Sequence, residues 1–210
     1  MQKIVIFDMD GTLIDSKKDI TLSVNYVREK NHNLPPLSEA FVVEAINKYE
    51  RNLAKLFYET LTYEERDRVV FEQHYQQQCI QNVYLYDGVY ELLEVLKSQG
   101  VKMSVATNAP SQFAQMMLAS LHVTDMFDLV VGADKVQHSK PDPQMINMIL
   151  DHYGYDKKCD QAWMVGDNSK DIEAAIDAEI DAIFAAWGFS SYGVHHTVVK
   201  DPKEVQRIVL

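Results

Sequence analysis

The sequence predicts an α/β fold with helices around a mainly parallel sheet and a small helical insert after the first strand. Three observations support this. The apolar run at residues 4–7 is typical of a strand buried on both faces. From residue 101 onward, short apolar runs alternate with helical patterns. Residues 16–83 show helical spacing instead and contain no strand pattern.

The insert is predicted to consist of helices. Apolar residues recur at helical spacing within residues 20–27 and again within residues 53–61. Ser38, which follows two prolines and precedes a glutamate, is typical of a helix start. Thr62 is predicted to cap a long polar helix that ends near Gln78.

After the insert, strands and helices are predicted in alternation. A helix from residue 89 stops at Gly100, and another carries Pro143 in its first turn. The predicted strands cover residues 102–107, 128–132, 162–165, 181–186 and 197–199. The further helices cover residues 111–121, 143–153 and 171–180, and a last one begins at residue 202.

Composition limits the classes of function. A chain of 210 residues that is 47% hydrophobic suits one large domain, or a core with a small insert. The net charge of −11, with no basic stripe, argues against nucleic acid as a partner. No apolar stretch is long enough to span a membrane, and the first residues do not resemble a signal peptide. Cys79 and Cys159 form no CxxC pattern, which favours reduced thiols and a cytoplasmic location.

Polar residues follow several predicted strands at the point where each strand ends. They are Asp8 and Asp10 after the first strand, Thr107 and Asn108 after the next, Lys140 in a later loop, and Asp167 with Asp171 near the end of the chain. In an open parallel sheet, ligands bind outside the carboxyl ends of the strands. We therefore expect these residues to face one crevice.

The residue types indicate the chemistry. Four acids around one lysine are strongly negative unless a hard cation is present, and oxygen-only ligands favour Mg²⁺ over zinc. Thr107 and Asn108 can donate hydrogen bonds to phosphoryl oxygens, and Lys140 can offset the charge of a phosphoryl group. The remaining acids can supply a carboxylate nucleophile and a second carboxyl group that transfers the proton. The pattern predicts metal-assisted phosphoryl transfer.

These segments resemble the four motifs of the haloacid dehalogenase-like hydrolases, in that family's order and over nearly the whole chain. They are Asp8-Met9-Asp10-Gly11-Thr12, Thr107-Asn108, Lys140-Pro141 and Gly166-Asp167-Asn168-Ser169-Lys170-Asp171. Asp15-Ser16, Phe127-Asp128 and the segment 139–143 are most similar to the phosphoglycolate phosphatase-like branch. The resemblance implies a Rossmann-like catalytic core of residues 1–15 and 84–210, with a small α-helical cap of residues 16–83.

The resemblance also implies roles for the motif residues. Asp8 attacks phosphorus and forms an aspartyl-phosphate. Asp10 protonates the leaving alkoxide and then activates the hydrolytic water. Thr107 and Asn108 hold the phosphoryl oxygens, and Lys140 steadies both the nucleophile and the phosphate.

A bound Mg²⁺ is the implied cofactor. Its implied ligands are the side chains of Asp8 and Asp167 and the backbone carbonyl of Asp10. Asp171 is expected to orient Lys140 or a water on the metal.

The leading hypothesis is a Mg²⁺-dependent phosphatase for a small phosphorylated metabolite, with phosphoglycolate as the first candidate, in a monomer or homodimer. A sugar-phosphate mutase, a nucleotidase or a pyrophosphatase is the alternative on the same scaffold, and a non-catalytic Mg²⁺- or phosphate-binding module is a third hypothesis. Lys48 or Arg51 could contact a substrate carboxylate, or could lie on a solvated helix end. Trp187 and Phe189 are interpreted as packing residues.

Overall fold

A computed structural model describes residues 1–48, 52–190 and 197–210 of the chain. These residues form two compact units. The first unit combines Met1–Ile14 with Leu85–Leu210, and the second is Asp15–Tyr84. Within the described ranges, no helix is both long enough and apolar enough to cross a membrane.

The first unit is built on a six-stranded sheet. Its strands are β1 (Lys3–Phe7), β4 (Lys102–Ala106), β5 (Leu129–Val131), β6 (Gln161–Gly166), β7 (Asp181–Ala185) and β8 (Thr197–Val199), while two short strands, β2 (Ile14–Asp15) and β3 (Tyr84–Leu85), pair separately. The order across the sheet is β5-β4-β1-β6-β7-β8, and every neighbouring pair is parallel. The predicted α/β class with a mainly parallel sheet is confirmed.

β1 lies inside the sheet, between β4 and β6. Residue 4 pairs with residue 102 on one side and with residue 162 on the other. The side chains from Ile4 to Phe7 are at most 1% exposed, as expected for a strand covered on both faces. The residues that follow β1 therefore leave the sheet at the middle of its carboxyl edge.

Helices connect the strands of this unit. They are α4 (Val89–Ser98), α5 (Ser111–Ser120), α6 (Gln144–Tyr153), α7 (Ser169–Asp177) and α8 (Pro202–Val209). Buried residues of α6, such as Ile146 and Ile149, pack with Ile4, Ile6 and Met164 of the central strands. This core fixes the sheet edge that carries the polar residues.

The second unit is helical. It contains α1 (Lys17–His32), α2 (Glu39–Asn47), a π-helical turn (Ala54–Tyr58) and α3 (Glu65–Gln78). Its core brings together Val24 and Val27 of α1, Val42 of α2, and Phe57 and Tyr58 of the π-turn.

A buried carboxylate joins the two ends of this unit. Asp19, in the first turn of α1, is fully buried. Its Oδ1 accepts hydrogen bonds from Gln78 Nε2 (2.8 Å) and Asn82 Nδ2 (2.6 Å), and its Oδ2 accepts one from the Asn82 N–H (2.9 Å). These three bonds compensate the burial of the charge and hold the start of α1 against the segment after α3.

Some element boundaries differ from the prediction. Helix α3 begins at Glu65, so the prediction of Thr62 as its cap is wrong. Glu59 adopts a left-handed conformation after the π-turn, and the Thr60 hydroxyl donates to the Thr62 carbonyl, so the chain turns here before α3 begins. Leu61, predicted on a helix face, is 85% exposed.

Candidate active site

The first unit brings most of the predicted site residues to the carboxyl edge of its sheet. Asp8, Thr107, Lys140, Asp167 and Asp171 are buried there. Asp10 and Asn108 are half-buried at the ends of the same strands.

The two candidate specificity residues belong to the other unit or are not described. Lys48 follows α2, is exposed, and pairs with Glu44 at 3.1 Å. Arg51 lies outside the described residues.

Lys140 is the centre of the site. Its ammonium group donates to Asp8 Oδ1 (2.7 Å), to Asp171 Oδ1 (2.5 Å) and to the Ala106 carbonyl (2.6 Å). A lysine ammonium has three N–H donors, so all three are used within the protein. A further hydrogen bond from Lys140 to a ligand would therefore require one of these three to break.

Lys140 also holds its proton firmly. Burial lowers the pKa of Lys140, but the charges and hydrogen bonds of Asp171 and Asp8 outweigh burial and leave that pKa above its usual value. The lysine is therefore an ammonium at neutral pH.

Three buried carboxylates surround this one cation. Oxygens of Asp8, Asp167 and Asp171 lie within 4.8 Å of one another. Burial raises the pKa of Asp8 well above its usual value, with Asp171 and Asp167 adding to the rise and Lys140 opposing it. Burial and the charge of Asp171 raise the pKa of Asp167 to about 7. With all three ionised, the cluster carries more negative charge than Lys140 can balance.

This donor set fits a divalent cation of the Mg²⁺ type. Among the described residues, the Asp8 side chain accepts a hydrogen bond only from Lys140, so its carboxylate keeps lone pairs that can bind an ion. Asp171 has fewer lone pairs for an ion, because both of its oxygens already accept hydrogen bonds. Oδ1 accepts one from Lys140, and Oδ2 accepts one from the Asn168 N–H (3.0 Å). Asp8 and Asp167 are therefore the side chains best placed to hold an ion, and a bound cation would oppose the rise in pKa that burial and the neighbouring carboxylates cause at each of them.

Without a metal ion, we expect the protein to lose stability as the pH rises from about 5 to about 7. The pKa of Asp167 is about 7 in the folded state, against about 4 when unfolded. The folded state therefore binds more protons in this range, and the free energy of unfolding falls with rising pH. Thermal melting in chelator at the two pH values measures the effect. Asp167→Asn should reduce the difference, and an unchanged difference in that variant would contradict the assignment.

The loop after β4 carries the two candidate phosphate ligands. The Thr107 hydroxyl accepts a hydrogen bond from the Ala109 N–H (3.1 Å), so its own proton can point to another acceptor. Asn108 Nδ2 donates to the Lys140 carbonyl (2.8 Å), which joins this loop to the lysine loop. Asn108 Oδ1 is buried and lacks a hydrogen-bond partner among the described residues.

The same loop is anchored at its far end. Asp134, which follows β5, accepts hydrogen bonds at Oδ1 from the Ser111 N–H (2.6 Å) and the Ser111 hydroxyl (2.7 Å). Ser111 is the first residue of α5, so this carboxylate caps the helix from another segment. The cap restrains the short loop that carries Thr107 and Asn108.

The turn after β1 depends on a glycine. Gly11 has φ +90°, a conformation that L side chains rarely adopt, and a Cβ there would overlap the Asp167 carboxylate. The turn is closed by the Leu13 and Ile14 N–H groups, which donate to the Met9 carbonyl (2.9 and 3.0 Å). Asp10 and Asp167 can therefore lie on adjacent segments of backbone.

Several contacts of the site were missed by sequence reasoning. The N–H groups of Phe189 and Ser190 donate to Asp167 Oδ2, and the Trp187 indole donates to the Thr12 carbonyl. Trp187 and Phe189 are interpreted from the sequence as packing residues, and the structure shows that both also donate hydrogen bonds to segments of the site. Backbone donors leave no sequence signal, although Gly188, between two aromatic residues after a strand, is a signal that could have indicated close approach.

Known proteins resemble the chain over most of its length. The family model described as haloacid dehalogenase-like hydrolase matches residues 5–185. A phosphoglycolate phosphatase from Colwellia psychrerythraea is 33% identical over 207 residues, which covers 91% of this chain and 87% of the relative. An N-acetylmuramic acid 6-phosphate phosphatase from Pseudomonas aeruginosa is 31% identical over 190 residues, which covers 89% of this chain and 83% of the relative.

Solved structures agree. A crystal structure described as a predicted phosphoglycolate phosphatase from Haemophilus somnus superposes with a TM-score of 0.85 at 27% identity, covering 100% of this chain and 98% of that one. Together these relatives confirm the predicted branch and the hydrolysis of phosphoric monoesters as the reaction class. The chain belongs to the haloacid dehalogenase-like hydrolases.

Proposed function

We propose that this phosphatase hydrolyses a small phosphorylated metabolite with the help of Mg²⁺, through a phosphoryl group carried on Asp8. One observation carries the proposal. Asp8 sits in a buried carboxylate cluster with Lys140 on its Oδ1, while its Oδ2 is left without a donor from the described residues. That arrangement suits a nucleophile that is held by one oxygen and reacts through the other.

The first half of the reaction transfers the phosphoryl group. Asp8 Oδ2 attacks phosphorus in line with the ester oxygen, and the bond from phosphorus to that oxygen breaks. Asp10 gives its proton to the departing alkoxide. The Thr107 hydroxyl and the Asn108 backbone N–H donate to the other phosphoryl oxygens.

The second half returns the enzyme to its starting state. Asp10, now a carboxylate, takes a proton from a water that attacks the phosphorus of the aspartyl-phosphate. The bond from phosphorus to Asp8 Oδ2 breaks, which releases phosphate and restores both carboxyl groups. Lys140 holds Asp8 in place throughout.

Asp8, Asp167 and the Asp10 carbonyl would hold the Mg²⁺ ion. When bound, it would supply positive charge that lowers the repulsion between the carboxylates and an anionic phosphate. Asp171 fits a positioning role, because it contacts Lys140 and caps α7 with its other oxygen.

We further propose that residues 16–83 act as a cap that selects the substrate. Phosphoglycolate is the first candidate, because several of the curated relatives are phosphoglycolate phosphatases. N-acetylmuramic acid 6-phosphate is the second, since one relative of similar identity acts on it. Cys79 and Cys159 are not joined in a disulfide, which supports a reducing, cytoplasmic location. We also propose that the protein is a monomer or homodimer and that it does not bind nucleic acid.

A panel of phosphate esters tests the substrate and the metal together. p-Nitrophenyl phosphate should turn over with Mg²⁺ and lose nearly all turnover in excess chelator, with recovery on adding Mg²⁺ back. Phosphoglycolate should show the highest kcat/KM among phosphoglycolate, N-acetylmuramic acid 6-phosphate, hexose phosphates, nucleoside monophosphates and pyrophosphate. Full activity in chelator would contradict the proposed dependence on Mg²⁺. Preference for a different ester would contradict phosphoglycolate as the substrate.

A further inference from the structure

Residues 187–190, directly after β7, contact two of the segments that form the candidate metal site. They belong to none of the four motifs. We call them the 187–190 segment. The contacts are made by backbone N–H groups, by an indole N–H and by a glycine, so they depend on the path of the chain as well as on side chains.

The first contact orients Asp167. The N–H groups of Phe189 (2.6 Å) and Ser190 (3.2 Å) both donate to Asp167 Oδ2. The other oxygen, Oδ1, has the Thr12 hydroxyl at 3.5 Å, which is too long for a strong bond. The segment thus occupies one oxygen of the carboxylate and leaves the other for a ligand.

The second contact is a close approach of backbone. A Cβ on Gly188 would overlap the Gly11 carbonyl oxygen and the Cβ of Asp167. The backbone of the segment therefore packs directly on the turn after β1 and on the segment after β6. Only a residue without a side chain fits at this position.

The third contact comes from the side chain of Trp187. Its Nε1–H donates to the Thr12 carbonyl at 2.9 Å. Thr12 lies two residues after Asp10, in the turn that carries the acid. Through this bond the segment restrains the second chain segment of the site.

We propose that the 187–190 segment positions the metal ligands, and that it sets the Mg²⁺ affinity of the site through Asp167 and through the turn of Asp10. This inference rests on the proposed function, since it assumes that Mg²⁺ binds at Asp8 and Asp167. Hydrogen-bond partners behind a ligand typically change metal affinity by about 10- to 100-fold when they are removed.

Calorimetric titration of the chelator-treated protein with Mg²⁺ tests the inference without relying on turnover. Gly188→Ala should raise the Kd for Mg²⁺ by about 10- to 100-fold. Trp187→Phe keeps the aromatic ring but removes the N–H, and it should raise the Kd by about 3-fold. Trp163→Phe in β6 is the control, because the same change there touches none of these contacts, and its Kd should equal that of the wild type.

Turnover then separates positioning from chemistry. When Mg²⁺ is raised above the new Kd, both variants should recover a kcat within about 3-fold of the wild type. Circular dichroism and melting establish that each variant is folded. If Gly188→Ala does not fold, Trp187→Phe carries the test alone.

Two failures can be told apart. If the wild type binds Mg²⁺ and hydrolyses esters, but folded Gly188→Ala and Trp187→Phe bind Mg²⁺ as tightly as it does, the positioning role is wrong and the proposed function stands. If the wild type itself neither binds Mg²⁺ nor hydrolyses any ester, the proposed function fails.

Discussion

Asp8→Asn should abolish hydrolysis of p-nitrophenyl phosphate in saturating Mg²⁺, with a fall in kcat of roughly 10⁴-fold or more. The amide cannot attack phosphorus, and it offers the metal a weaker ligand. The Lys140 ammonium can still donate to the amide oxygen, so its pairing with Asp171 should persist. Steady-state release of nitrophenol measures the loss.

The same variant also tests the electrostatics of the cluster. Because burial raises the pKa of Asp8, its ionised form destabilises the metal-free fold at neutral pH. We therefore expect that Asp8→Asn does not lower the melting temperature in chelator. Asp177→Asn, on the exposed side of α7, serves as the matched control and should keep full activity. Activity near the wild-type level in Asp8→Asn would remove Asp8 as the nucleophile.

Asp10→Asn should slow complete turnover by roughly 10²- to 10⁴-fold. Nitrophenolate leaves readily without a proton, so the first step with p-nitrophenyl phosphate should survive better than the second. The variant should release a burst of nitrophenol close to the enzyme concentration and then nearly stop, because the water is no longer activated. An alkyl ester should show no burst, since its departure needs the proton. Rapid-mixing absorbance measurements distinguish the two cases.

Binding of Mg²⁺ provides the internal check on Asp10. The proposed contact of this residue with the metal is its backbone carbonyl, which the substitution leaves in place. Calorimetry should therefore give a Kd within about 3-fold of the wild type. Turnover near the wild-type rate would contradict the acid–base role, and a large loss of Mg²⁺ affinity would contradict the backbone contact.

The sheet and its polar edge could be predicted because both follow from short-range patterns. The apolar run at residues 4–7 indicated the burial of β1. The polar residues at strand ends and in the loops after them were enough to predict that Asp8, Lys140 and Asp167 lie near one another. This prediction relied on the parallel arrangement, in which the carboxyl ends of distant strands lie at one edge of the sheet.

The finer geometry could not be predicted, for physical reasons. The bond from Lys140 to the Ala106 carbonyl and those from the N–H groups of Phe189 and Ser190 to Asp167 involve backbone atoms, which every residue carries. The distant cap on α5 depends on where Asp134 falls after folding. The late start of α3 follows from a turn at residues 59–64 that competed with the local signal at Thr62.

The position of β1 has a consequence for how the chain folds. This strand comes first in the sequence, yet its two neighbours begin at Lys102 and Gln161. Pairings between such distant parts of a chain carry a large loop-closure entropy and slow folding. During synthesis, the apolar residues of β1 therefore lack both neighbouring strands until β4 and then β6 have left the ribosome. Slow, late assembly is thus expected, and early folding intermediates should depend on protection from aggregation.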